Sequence, residues 1–210
     1  MQRVLRREHF SRPANCRIAG SMNDKPEPER QPVTILTTPR LMLRTTTERD
    51  IPILQDRIFG DADVMRYAFA GVPMAKDKSE DFMRKFFTFG DSLTGMATLT
   101  ARPDGEVIGF SGLFSCTALE AEDFEIGFLL ARPFWGRGIA TEIGEAQLAF
   151  GFDQLHCARL LGLVDPRNAA SIHALKKLGM HYLRDVADAK RATRSVYVIQ
   201  AGELRQRRAE

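Results

Sequence analysis

The stretch "FEIGFLLARPFWGRGIATEIGEAQLAF", residues 124–150, changes its apolar period once. Phe124, Ile126, Phe128 and Leu130 alternate, as on one face of a strand, whereas Ile139, Ile143, Ala146 and Phe150 recur at helical spacing. Pro133, Gly136 and Gly138 lie between the two patterns, so a strand must pass into a helix through a loop almost stripped of side chains. Glycine is less favourable than alanine in a helix by roughly 1 kcal/mol. Something has to offset that penalty.

A helix N-terminus presents unpaired N–H groups and a partial positive charge, and so attracts phosphate. Gly136, Gly138 and small Ala140 clear the approach, and Thr141 adds a hydroxyl donor. A pyrophosphate is therefore the first ligand expected here. The P-loop pattern GxxxxGK[ST] is absent from the chain. The dinucleotide pattern GxGxxG fails at Thr141, and it would follow several antiparallel strands instead of a first strand-helix turn. The competing explanation is a turn emptied only so that strand and helix can pack closely.

The remaining pattern surrounds this junction with alternating elements. Residues 35–45 read as a first strand, and Thr47 with Asp50 as a capping box opening a helix to about Ile58. Phe82, Phe86 and Phe89 mark a helix closed by Gly90, and Pro103-Asp104-Gly105 marks the turn of a hairpin. "ARLLGLVD" reads as a strand covered on both faces. Asn168 has the place of an N-cap and Gly179 that of the residue past the helix end; "MHYLRDVA" and "RSVYVIQAG" follow as strands. The class is a mixed α/β sheet without internal repeats.

With 210 residues, 44% apolar and 27% charged, the chain is sized for one domain. A net charge of +3 is too small for a nucleic-acid binder, and no apolar run reaches membrane-spanning length. Cys16, Cys116 and Cys157 are scattered and odd in number, which fits free thiols in a reducing, cytoplasmic setting. Residues 1–32 are rich in arginine and proline and are expected to be disordered. Met22 is the expected natural start, an over-extended reading frame lying upstream; the Arg-rich opening also has the cast of a mitochondrial presequence. The folded domain is expected over residues 33–203, with a basic tail at 204–210.

Residues Trp135-Gly136-Arg137-Gly138-Ile139-Ala140 resemble motif A, [Q/R]xxGx[G/A], of the GNAT N-acetyltransferases, with Trp135 in place of Gln or Arg. "TPRLMLRTTTERD", "FEIGFLL" and "NAASIHALKKLGM" resemble the RimJ/RimL-like branch of that superfamily, whose name-giving members modify ribosomal proteins. The resemblance spans residues 33–200. It implies a GNAT fold: a mostly antiparallel sheet of about seven strands flanked by about four helices. It implies acetyl-CoA as co-substrate, no metal, and direct acetyl transfer to an amine acceptor by a monomer or homodimer. A protein N-terminal α-amine is the favoured acceptor. The alternatives are a small-molecule amine (polyamine, amino acid or antibiotic) or a non-catalytic acyl-CoA-binding module.

The resemblance also assigns residues. Glu125 is the general base, with Glu122 and Asp123 as weaker candidates; the strand from Phe128 through Leu129 to Leu130 offers backbone donors. Trp135, Gly136, Arg137, Gly138, Ile139, Ala140, Thr141, Asn168 and Ser171 contact the cofactor. Leu175 stands where much of the superfamily has a tyrosine acid, so Ser171 is the candidate to protonate the thiolate. Arg132 and Arg137 are further candidates for the CoA phosphates. The loop "AFAGVPMAKDKSED" and the acidic "TALEAED" are expected to border the acceptor. His156, Cys157, His173 and His181 have no metal-site spacing and read as packed or solvated side chains.

Overall fold

A computed structural model describes residues 31–188 and 191–209; the expectations for residues 1–30, Met22 and Cys16 among them, lie outside these. The strands are β1 (Thr34–Thr37), β2 (Leu41–Arg44), β3 (Ala97–Ala101), β4 (Val107–Cys116), β5 (Asp123–Leu130), β6 (Arg159–Val164), β7 (His181–Asp188) and β8 (Arg191–Gln200). The helices are α1 (Asp50–Leu54), α2 (Ala62–Met65), α3 (Lys76–Phe86), α4 (Ile139–Asp153), α5 (Ala169–Lys177) and α6 (Ala201–Ala209). One sheet holds all eight strands in the order β1-β2-β3-β4-β5-β6-β8-β7. Every neighbouring pair is antiparallel except β5 and β6, which α4 connects as a crossover.

Strand alternation divides the core between the two faces. Leu113, Ile126, Leu160 and Ile199 pack under α4 and α5 with Leu148, Phe152 and Leu175. The opposite face carries Phe110, Phe114 and Leu129 against Leu54, Phe59, Met65 and Met83 of α1 to α3 and the π turn Gln55–Phe59.

Four local expectations are corrected. Residues 35–45 form a hairpin, β1 and β2, not one strand. Pro39 breaks the ladder, and Thr38 closes the turn by donating its N–H to Leu41 O at 2.9 Å and accepting Leu41 N–H on its hydroxyl at 3.0 Å. The helix expected from Thr47 to Ile58 begins at Asp50 and passes into the π turn. Helix α3 ends at Phe86; Ser79 and Met83 fill its buried face, Phe86 is exposed, and Phe87 bridges to Met96. Gln200 ends the last strand, and residues 201–209 form a helix that packs Ala201 and Leu204 on the core.

Asp50 ties three elements together. Its buried carboxylate accepts Arg44 Nη1 and Nη2 at 2.7 and 2.8 Å, Thr47 N at 2.8 Å, and the hydroxyls of Thr47 and Thr98 at 3.0 and 3.2 Å. Burial alone would raise its pKa, but the bonds from Arg44 and Thr47 outweigh it and hold the group below the ordinary aspartate value. The lowered pKa means that its contribution is complete at neutral pH and disappears as pH falls through the folded value. Asp50→Ala leaves Arg44 uncompensated and is expected to lower stability by about 3–5 kcal/mol in urea unfolding at pH 7.

Candidate active site

The parallel contact between β5 and β6 is brief. Phe124 pairs with Leu160 and Glu125 with Leu161, after which β5 runs on to Leu130 beside β4 and β6 to Val164 beside β8 without pairing with each other. The sheet forks there. A cleft of about 670 Å³ opens at the fork and reaches the start of α4, the start of α5 and the loop after α2.

Backbone polarity in the fork follows from strand alternation. Ala131 N–H bonds Ile108 O at 2.9 Å, and a Cβ on Gly109 would lie 2.1 Å from Leu129 O, so alternate residues of β5 face β4. Phe128 and Leu130 consequently direct their N–H and C=O groups into the fork, while the Leu129 backbone is turned to β4. That corrects the expectation of donors from all three residues. The Leu130 carbonyl is capped by the indole Nε1 of Trp135 at 2.7 Å. Trp135 thus contributes a hydrogen bond that pins the loop to the fork.

The glycines of that loop have a conformational reason. Gly136 and Gly138 sit at φ +71° and +75°, the left-handed region that side chains resist. A Cβ on Gly136 would meet nothing within 4 Å, and one on Gly138 only Arg40 Nη2 at 3.7 Å. Close packing therefore does not explain them. The turn delivers the chain into α4, whose first carbonyl acceptor, Gly138 O, takes Glu142 N–H at 3.0 Å. The amides of Ile139, Ala140 and Thr141 precede any i–4 partner and, with the helix dipole, make a cradle suited to an anion.

A brace absent from the sequence reading stabilises the cradle. Arg40 reaches across from the β1–β2 turn, donating Nη1 to Arg137 O at 3.0 Å and Nε to Glu142 Oε2 at 2.5 Å. Burial would raise the Glu142 pKa, but the bonds from Thr38 and Arg40 outweigh it and keep the carboxylate ionised. An arginine 102 residues away in sequence thereby offsets the one negative charge in the first turn of α4.

Glu125, Phe128, Leu129, Leu130, Trp135, Gly136, Gly138, Ile139, Ala140, Thr141, Asn168 and Ser171 all line the cleft. Asn168 caps α5, its Oδ1 accepting Ser171 N–H at 3.1 Å, and both residues line the cleft. Arg132 is turned away: its guanidinium pairs with Asp61 at 2.7 Å and Asp63 at 3.1 Å. Arg137 lies over the Phe134 ring at 5.6 Å and is outside the cleft lining. The loop after α2 lines the cleft through Tyr67, Ala68 and Phe69, but the acidic residues 117–123 do not. Asp123 is engaged by Arg159 at 2.7 Å, and Ala118 and Leu119 pack on Leu161 and Val198.

Arg194 and Asp165 also belong to the cleft and carried no local sequence signal. Buried Arg194 donates to Tyr67 O at 3.0 Å and Phe69 O at 3.1 Å, and lies 3.7 Å from Asp165 Oδ2. Arg167 clamps Asp165 and, against the opposing effect of burial, holds its carboxyl down at about 2. Among the described residues, no group of three or more His, Cys, Asp or Glu is arranged to hold a metal, and no helix is long and apolar enough to cross a membrane.

Comparison with known proteins agrees with this geometry. A family model described as Acetyltransferase (GNAT) domain matches residues 40–181. The uncharacterized protein YkkB of Bacillus subtilis (strain 168) is 33% identical over 158 residues, covering 73% of this chain and 88% of that protein. The uncharacterized N-acetyltransferase p20 of Bacillus licheniformis is 32% identical over 174 residues, covering 78% and 93%. Among solved structures, spermidine N-acetyltransferase from Vibrio cholerae in complex with CoA and spermine superposes with a TM-score of 0.63 at 16% identity, covering 78% of this chain and 97% of its own. That likeness is one of fold.

Proposed function

This chain belongs to the GNAT acetyltransferase family, and we propose that it moves an acetyl group from acetyl-CoA to a primary amine in one direct step, with Glu125 as base and Ser171 as acid. The observation that carries this reading is the continuity of the cleft. A left-handed glycine cradle at the start of α4 opens directly into a forked sheet edge bearing amide donors and a carboxylate.

In this reading the N–H groups from Gly136 to Thr141 bind the diphosphate of CoA, and its pantetheine arm lies along the open edge of β5. The Phe128 and Leu130 amides donate to the arm and to the carbonyl oxygen as it gains charge. Glu125 accepts the amine proton, directly or through water, as the nitrogen lone pair attacks the thioester carbon. The C–N bond forms, the C–S bond breaks, and the thiolate takes a proton from Ser171 or water.

An α-amine of pKa near 8 needs about 1.4 kcal/mol to deprotonate at pH 7, and a lysine-type amine near 10.4 about 4.6. A single glutamate base is better matched to the first. Trp135 ahead of Gly136 and Leu175 in the tyrosine position support the RimJ/RimL-like branch, and with it a protein N-terminus as acceptor. The spermine in the Vibrio cholerae structure favours a small-molecule amine as the second reading. Cytoplasmic location belongs to the same proposal and rests on the scattered cysteines.

The test is release of free thiol from acetyl-CoA on addition of amines, including peptides with Ala or Ser termini. Acetyl-CoA that raises the melting temperature, with no thiol release for any amine, would instead identify a binding module. Within an active enzyme, Ser171→Ala is expected to lower kcat roughly 10²-fold. The bond to Asn168 uses the backbone N–H, which alanine keeps, so the effect reads the hydroxyl alone. Unchanged turnover assigns the proton to water.

A further inference from the structure

Helix α4 carries one polar side chain into the core. Among its buried residues Gln147 alone is polar, and it is 1% exposed. Its Nε2 donates to Oγ of fully buried Ser111 on β4 at 2.5 Å, and Ser111 Oγ donates to Gly127 O on β5 at 2.7 Å. A carbonyl only accepts, so the serine proton goes to Gly127 and Gln147 must present its NH2 group to the serine oxygen. Gln147 Oε1 is buried and accepts no hydrogen bond among the described residues. A half-satisfied amide is less favourable in a core than a methionine of similar size. Stability therefore does not account for Gln147.

The chain of bonds ends on the peptide that joins Gly127 to Phe128. In a trans peptide the C=O and the next N–H point in opposite directions. Gly127 is in register with Gly112 of β4, and its carbonyl is turned to that strand. The same peptide plane therefore aims Phe128 N–H into the fork. Phe114 closes the other face of the sheet here: a Cβ on Gly127 would lie 2.6 Å from Phe114 Cε1. The plane is thus held between an aromatic ring and a serine hydroxyl. A hydrogen bond accepted by a carbonyl polarises its peptide and strengthens the N–H at the other end, and the bond from Gln147 polarises Ser111 in turn.

We infer that Ser111 and Gln147 are positioning residues for acetyl transfer, acting through Gly127 O to orient the Phe128 amide and strengthen it as a donor to the thioester carbonyl. This deepens the acetyl-transfer reading and rests on it. Gln147 lies two turns beyond the amides that open α4, so one helix serves both the diphosphate cradle and the donor at the reacting carbonyl.

The test uses the double variant Ser111→Ala/Gln147→Met, which removes the chain of bonds and leaves no partner orphaned. Loss of one oxyanion donor lowers kcat about 10²–10³-fold, and one hydrogen bond strengthens its neighbour by roughly 10–30%. The double variant is accordingly expected to lower kcat about two- to eightfold, with the CoA Kd unchanged and urea stability no lower than the parent's. Infrared difference spectra of bound acetyl-CoA with a 13C-labelled carbonyl read the donor without turnover. The thioester stretch is expected at higher frequency in the double variant, because a weaker hydrogen bond leaves more double-bond character. Gln147→Met alone keeps the serine bond and is expected to give a smaller shift in the same direction. A stretch that does not move overturns the inference, whatever happens to kcat or stability. A shifted stretch in a protein that releases no thiol with any amine upholds the polarised donor and overturns the catalytic reading instead.

Discussion

Replacing Glu125 by glutamine is expected to lower kcat by about 10²–10⁴-fold while the affinity for acetyl-CoA stays where it was. The substitution keeps the size and polarity of the side chain and removes only its capacity to take a proton. Glu125 is in register with Leu161, the last pair before β5 and β6 part. It therefore marks the inner end of the fork, on the opposite face from Ile126. The glycine cradle lies beyond the other end of β5, so binding of the diphosphate should not sense the change. The loss should be largest near neutral pH, where most amine is protonated, and should narrow toward pH 9 as free amine accumulates. A variant as active as the parent from pH 6 to 9 removes Glu125 from the chemistry. Thiol-release kinetics and a calorimetric titration with acetyl-CoA provide the two readouts.

A second large effect is expected at Gly138. Valine at φ +75° carries left-handed strain of roughly 1–2 kcal/mol, and its β-branch aggravates it. Either the loop keeps its shape and bears that strain, or it relaxes and redirects the amides that open α4. In the second case the CoA Kd rises by about tenfold or more, because each 1.4 kcal/mol is a factor of ten. Core packing offers no other reason for a loss: the nearest atom to a Cβ at this position is Arg40 Nη2 at 3.7 Å. A melting temperature within a few degrees of the parent together with a tenfold weaker Kd is the expected pair of results. An unchanged Kd would show that left-handed backbone at Gly138 is not needed for binding.

Turn chemistry and caps were readable wherever one or two residues decide the backbone. Pro103-Asp104-Gly105 announced the β3–β4 turn, Asn168 the start of α5, and Gly136 and Gly138 the bend into α4. The β1–β2 turn is hidden in the sequence because only Pro39 interrupts an otherwise alternating run, and the closing bonds come from Thr38. Helix α6 is hidden in the sequence because "AGELRQRRA" is too polar to show an apolar stripe, although Ala201 and Leu204 suffice to seat it. Alternation placed Glu125 and Ile126 on opposite faces, which the packing of Ile126 under α4 matches.

The fork itself could not be read from the chain, because it depends on where two parallel strands stop pairing. The same holds for contacts made across long sequence distances. Arg194 reaches Tyr67 over 127 residues, and Arg40 reaches Glu142 over 102. Arg132 looked like a phosphate ligand by its place beside the loop, yet Asp61 and Asp63 of the α2 turn draw it aside. Nearness in sequence does not decide where a guanidinium points.

The anion cradle is most directly examined by a crystal structure of the protein with CoA bound. The account predicts diphosphate oxygens within about 3 Å of amide nitrogens between Gly136 and Thr141, with the pantetheine arm against Phe128 and Leu130. A diphosphate held elsewhere, with those amides facing solvent, would contradict it.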